Sequence, residues 1–265
     1  MRMICEYVKN FRRRYDIILT MKLRLLRTEL IFSLLIVLLP LTYTHCGGSF
    51  VANSSSSGSF QSLNSTSCPI ISNNLSDLKS VEDAVALINA LPKPLSIDCF
   101  IANLKIPLKV FAVNNTFSAQ PSVSMDSPRI FIISNNLILS VVPAGEGKNL
   151  VEFSQIVSSG VSIKAEIEFP ISATLPGEAP YSRILSGSFG TTCTSCHKNE
   201  SRATMVSAGE AYQSNIIAPD LFQRVSQGYL LNQAKVCNNR IDDFRCRLLK
   251  TIFIRGAAVD VDFPN

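Results

Sequence analysis

Histidine is scarce in this chain of 265 residues: there are two, His45 and His197. That excludes a His-rich metal cluster and a multihaem chain with bis-histidine ligation. With 12 glycines and 13 prolines the composition is not collagen-like. Eight cysteines are too few for a disulfide-stapled mini-protein. No Gly-rich phosphate loop and no internal repeat is present. What is there is 46% apolar residues, enough to argue against disorder, in a length that suits one or two domains.

The formal charge of +5 is local. Residues 1–45 hold eight basic groups (Arg2, Lys9, Arg12, Arg13, Arg14, Lys22, Arg24, Arg27) against Glu6, Asp16 and Glu29. The remaining 220 residues have 17 of each sign, so the total charge makes no case for nucleic-acid binding. After the basic stretch comes the apolar run Leu30–Leu41, 12 residues interrupted by Ser33 and Pro40. That is shorter than the ~20 residues needed to cross a bilayer and suits a signal-peptide core, so 1–45 reads as a signal peptide. Met21 opens a conventional basic n-region, Met21–Arg27, and is a second candidate start.

The run ends in Leu41-Thr-Tyr-Thr-His-Cys46-Gly-Gly48. A cysteine directly after the apolar core, followed by glycine, resembles a bacterial lipoprotein signal. The resemblance implies lipidation of Cys46 and cleavage before it. Tyr43 and His45 depart from the usual lipobox; ordinary cleavage, with Cys46 a nearby thiol, is the alternative. Residues 46–67, rich in Ser, Gly and Asn, read as a flexible tether. The expected setting is the periplasmic side of a bacterial envelope, with the membrane as partner through the lipid.

Seven cysteines follow the leader, an odd number; lipidation of Cys46 leaves six. Cys237 and Cys246, nine residues apart, can close a short loop, and Cys68 and Cys99 bracket a predicted helix. Both pairs are expected as disulfides.

Ser80–Leu91 reads as a helix, capped by Ser80 and stopped by Pro92-Lys-Pro94. Five β-branched runs follow: 106–113, 129–133, 137–142, 150–153 and 161–169, with turn signals between them. They suggest a small antiparallel sandwich or barrel over 68–175. After the Pro/Gly segment at 176–180 the strand signals cease, and Gln227–Val236 and Ile241–Ile254 look helical. The expected class is therefore α+β, a β-rich part followed by an α-rich segment over 176–265. Whether these are two domains or one unit stays open at the level of sequence.

One motif carries chemistry. Thr192-Cys-Thr-Ser-Cys-His197 has the C-x-x-C-H order of covalent haem attachment, in which two thiols add to the porphyrin vinyl groups and the histidine ligates the iron. In 220 residues of this composition it is expected by chance about 0.001 times. The segment resembles c-type cytochromes, which implies one covalent haem c, Cys193 and Cys196 as thioether anchors and His197 as proximal ligand. A structural or redox disulfide and a metal site are the competing readings; zinc lacks a fourth ligand. For the sixth iron position the candidates are Met205, Met125, Lys198, Lys235 or water. Phe222, Tyr229, Phe244 and Phe253 are candidate pocket aromatics, though plain core is the commoner role of such residues on helices. Arg245, Arg247, Lys250 and Arg255 are candidate partners for propionates or a redox protein, against the usual reading as a solvated helix face. The expected function is one-electron transfer by a membrane-tethered monohaem protein; an open sixth position would instead allow sensing or binding of a small ligand, or peroxide chemistry. The alternative is a non-redox envelope lipoprotein with a partner-binding β-rich part.

Overall fold

A computed structural model of the chain describes residues 68–71, 74–187, 190–238, 240–241 and 243–264. The signal segment, Cys46 and the tether lie outside these residues.

The first long helix, α1, spans Val81–Ala90. Ser80 Oγ accepts from the Asp83 backbone N–H at 3.2 Å, and the Asp83 carboxylate accepts from Ser80 N–H at 3.1 Å. This reciprocal cap satisfies donors that the first turn leaves without partners. Leu91, before Pro92, is already extended at φ −86° and ψ 146°, because a residue preceding proline avoids helical geometry. Val81, Ala84, Val85, Leu87 and Ile88 are buried. Each of the larger side chains contributes roughly 1.5–3 kcal/mol by leaving water. A short helix, α2 (Ile97–Ile101), follows, capped by Ser96.

The five expected strands are present as β1 (Lys109–Val113), β2 (Arg129–Ser134), β3 (Leu137–Val141), β4 (Leu150–Ser158) and β5 (Val161–Glu168). Each pairs antiparallel with the next. They do not form a sandwich or a barrel. All belong to one open eight-stranded sheet in the order β6-β7-β5-β4-β3-β2-β1-β8. The class is α+β, as expected.

The expectation that strands cease after 176–180 is corrected. After the four-residue α3 (Ala179–Ser182) come β6 (Ser201–Arg202), β7 (Tyr212–Asn215) and, at the end, β8 (Val259–Asp260). β7 pairs with β5, and β8 runs parallel to β1 at the other edge. The sheet therefore unites both sides of the Pro/Gly segment, and the described residues fall in one compact unit, Leu63–Asn265. Strands of two to four residues are too short for alternation to reveal them. The two expected helices are present as α4 (Gln227–Val236) and α5 (Asp243–Leu249), the latter continuing as a π-helical turn over Lys250–Arg255.

Alternation decides what each face of the sheet meets. Val110, Ala112, Ile130, Ile132, Leu139, Val151, Ile163, Ala165 and Ile167 pack with the apolar residues of α1, α2, α4 and α5 in the main core. On the opposite face Phe111, Val113, Phe131 and Ile138 form a smaller cluster with Phe263. The Phe263 ring stands edge-on to Phe131 at 5.1 Å and to Phe111 at 5.8 Å. Among the described residues no helix contributes to that second cluster. Among the described residues no helix is long and apolar enough to cross a membrane.

Both expected disulfides are present, Cys68–Cys99 and Cys237–Cys246. The first ties the start of the described chain to α2, the second the end of α4 to α5.

Candidate functional site

The motif lies on the second face of the sheet. Thr192–Ser195 forms a single 3-10 turn with Thr191 as its cap, and Thr191 Oγ1 accepts from Cys193 N–H at 3.1 Å. The His197 N–H reaches back to the Cys193 carbonyl at 2.8 Å, so all five motif residues share one helical turn. Three ties hold this turn in place. Thr192 N–H donates to the Ile184 carbonyl at 2.9 Å, and Asn215 N–H, at the end of β7, donates to the Lys198 carbonyl at 3.0 Å. The Glu200 carboxylate accepts from both the Thr191 N–H (2.8 Å) and the Thr191 hydroxyl. Gly190, at φ +91°, permits the close approach: a Cβ there would stand 2.7 Å from Glu200 Oε1.

His197 is half-buried, and its Nδ1 lies 2.7 Å from the Asn215 carbonyl oxygen. A carbonyl only accepts, so Nδ1 carries the proton and Nε2 keeps its lone pair. Burial, followed by the Lys164 charge, holds the imidazole pKa below its ordinary value, against the opposing hydrogen bond to Asn215. The ring is therefore neutral at pH 7, oriented, and has one nitrogen available as a ligand. Anchoring of the second nitrogen on a backbone carbonyl is a common support for a metal-bound histidine.

Cys193 and Cys196 are free thiols. Burial pushes the Cys193 thiol above its ordinary pKa, although the Thr191 hydrogen bond works the other way. A thiol–disulfide oxidoreductase needs a depressed pKa at its attacking cysteine, so this environment disfavours that chemistry. A tetrahedral metal centre fits no better. Among the described residues, the one group of three His, Cys, Asp or Glu donors lying within 4.8 Å of one another is Cys68, Asp98 and Cys99. Its two sulfurs are joined in a disulfide.

Both thiols and His197 line a cavity of about 630 Å³ between the motif turn and the sheet, a size usual for cofactor pockets, about 300–1,000 Å³. Its apolar wall is Phe131, Ile138 and Phe263 from the sheet side, with Phe117 and Ile217 from the loops before β2 and after β7. The floor carries charge. Arg129 donates to Ser140 Oγ at 2.6 Å, to Ser118 Oγ and to the Glu152 carboxylate. Its guanidinium also lies over the Phe131 ring, 5.0 Å from the centroid. Burial pushes the Glu152 carboxyl above its ordinary pKa while Arg129 opposes. One strand further, Lys164 Nζ donates to Ser162 Oγ at 2.5 Å and Ser154 Oγ at 3.4 Å.

The other sequence candidates lie elsewhere. Met205 is 64% exposed and Met125 51% exposed, and neither lines the cavity. Lys198 and Lys235 are exposed and also outside it. Phe222 is fully exposed, Tyr229 hydrogen-bonds Asp126, Phe253 is in the main core, and Phe244 packs against that core. Arg245 is engaged by the Asp126 carbonyl and Gln233, and Arg247 by Asp98 and Asp243. Lys250 reaches the Cys237 carbonyl, and Arg255, like the other three, does not line the cavity. The residues that sequence reasoning missed are Arg129, Glu152 and Lys164. The available signal was a charged residue inside each of three apolar strands, at positions alternating with core residues.

Comparison with protein-family models, with curated proteins and with solved structures gives no match.

Proposed function

We propose that the chain is a monohaem c-type protein, with Cys193 and Cys196 as thioether anchors and His197 as the proximal ligand. One observation carries the reading: the motif's two thiols and its oriented, neutral histidine all line a single cofactor-sized cavity with an apolar wall. Iron in such a porphyrin supplies one-electron exchange between its ferrous and ferric states. The protein's share is binding and tuning. Asn215 fixes the imidazole tautomer, Phe131, Ile138 and Phe263 exclude water from one side, and Lys164 and the Arg129–Glu152 pair supply charge on the floor. Among the described residues no methionine lines the cavity.

The same reading places the chain on the periplasmic side of the envelope. Support comes from the leader, from Cys46 with its Ser/Gly tether, and from the two disulfides, which need an oxidising compartment. A redox protein is then the natural partner. The test is the absorption spectrum of protein purified from a host that expresses the haem-attachment machinery. A reduced α-band in the c-type region, from haem that survives acid–acetone extraction, supports the reading. A colourless, folded protein from that host contradicts it.

A further inference from the structure

Lys164 lies in the middle of β5 with 6% of its surface exposed, and it lines the cavity. Burying an ammonium is costly unless an anion accompanies it. Its neighbour on the floor has one: Arg129 is paired with Glu152 and also donates to Ser118 and Ser140. Lys164 has two hydroxyl acceptors, Ser162 and Ser154. Among the described residues no carboxylate lies within ion-pair distance of it. Ser162 and Ser154 also bond each other at 2.6 Å, which fixes the pair on the β4/β5 ladder and steadies the ammonium. The result is a built cation, held on hydroxyls inside a cavity with no carboxylate in direct contact; Glu152 and Glu166, which line the same cavity, are engaged by Arg129 and Arg183.

We propose that Lys164 is a carboxylate-binding subsite on the floor of this cavity, and that its occupant brings an anion into direct contact with the ammonium. The inference rests on the haem reading only for the source of that carboxylate, which is then a porphyrin propionate; a small free carboxylate is the other source. Arg129 is not the primary anchor, because binding there must first displace Glu152. Burial pushes the Lys164 pKa down to about 8, with the nearby Cys193 and Glu152 opposing the shift and Arg129 adding to it.

The experiment uses the full chain with Cys193→Ala and Cys196→Ala, so that binding is reversible. Thermal unfolding of each variant reports that it is folded. Haemin and haemin dimethyl ester, whose propionates are masked, are titrated and followed by Soret absorbance. With Lys164 present, haemin is expected to bind about tenfold or more tighter than the ester, the scale of one charge-assisted hydrogen bond. In the Lys164→Met variant the two are expected to bind alike. An undiminished preference in Lys164→Met overturns the proposal. So does a change from low-spin to high-spin iron on that substitution, which makes Lys164 an iron ligand instead. If neither haemin nor its ester binds, the second arm decides the subsite, and the haem reading is decided separately by the covalent haem content of the native chain. Millimolar succinate that raises the unfolding temperature of the Lys164 protein but not of Lys164→Met supports a free carboxylate as occupant; no shift in either overturns the subsite.

Discussion

The Nδ1–H of His197 donates to the backbone carbonyl of Asn215 at 2.7 Å. This contact joins the motif turn to the end of β7, the strand next to β5 that carries Lys164. Because the acceptor is backbone, the tautomer is set by the fold rather than by a replaceable side chain. The sheet edge thus does two things at once: it positions the turn, and it leaves Nε2 as the free nitrogen. A ligand oriented in this way loses little freedom when it binds, which favours tight ligation.

Lys164 links the site to stability. Its folded pKa of about 8 lies below the ordinary 10.5. Between these values the unfolded chain binds more protons than the folded one, so stability rises with pH through that window. Below about pH 8 the full cost is present, about 3 kcal/mol for the empty cavity. Lys164→Met is therefore expected to stabilise the haem-free protein by up to about 3 kcal/mol at pH 7. The gain should shrink towards zero near pH 10.5, as read by urea unfolding at the two pH values.

The two disulfides should differ in worth. Cys68–Cys99 closes a loop of 31 residues and Cys237–Cys246 one of 9. Loop-closure entropy gives about 4 kcal/mol for the longer and about 3 kcal/mol for the shorter. Paired Cys→Ala replacement at 68 and 99 is expected to lower the denaturant midpoint more than replacement at 237 and 246.

Glu200 staples the motif turn through both donors of Thr191. Glu200→Ala leaves those donors without their carboxylate at a partly buried site, at a cost of about 1–3 kcal/mol. The expected outcome is lower stability together with a reduced yield of covalently attached haem. Glu200→Gln, which keeps an acceptor, should retain more of both.

Cys46 carries the localisation proposal. Cys46→Ser is expected to move the protein from the membrane fraction to the soluble periplasmic fraction without altering haem content. Unchanged membrane association in that variant argues against a lipid anchor.

The sequence made the central parts of this architecture legible where the periodic runs are long. β1 to β5, α1 and α4 all fall where apolar alternation, the Ser80 cap or helical spacing puts them. Lys109–Val113 and Gln227–Val236 are examples on either side of the Pro/Gly segment at 176–180. β6, β7 and β8 escaped because two to four residues carry no readable period, and they are the strands that turn an apparent two-part chain into one sheet. In the candidate site, Cys193, Cys196 and His197 were readable as a contiguous motif, whereas Arg129, Glu152 and Lys164 come from three strands and meet only through sheet register. Phe222 and Phe253 show how little residue type alone decides: for both, plain core is the commoner reading and a pocket role the alternative, and the fold sends Phe253 to the core and Phe222 to solvent.

The measurement closest to the central claim is the intact mass of the exported protein from a host with haem-attachment machinery. Cys193→Ala, Cys196→Ala and His197→Ala variants are measured alongside it. The account predicts that the native chain carries the mass of one haem after denaturation, that the paired cysteine variant loses it, and that His197→Ala retains less than about a tenth of it. A native chain at its bare polypeptide mass, folded and with Cys193 and Cys196 still open to thiol reagents, contradicts the account.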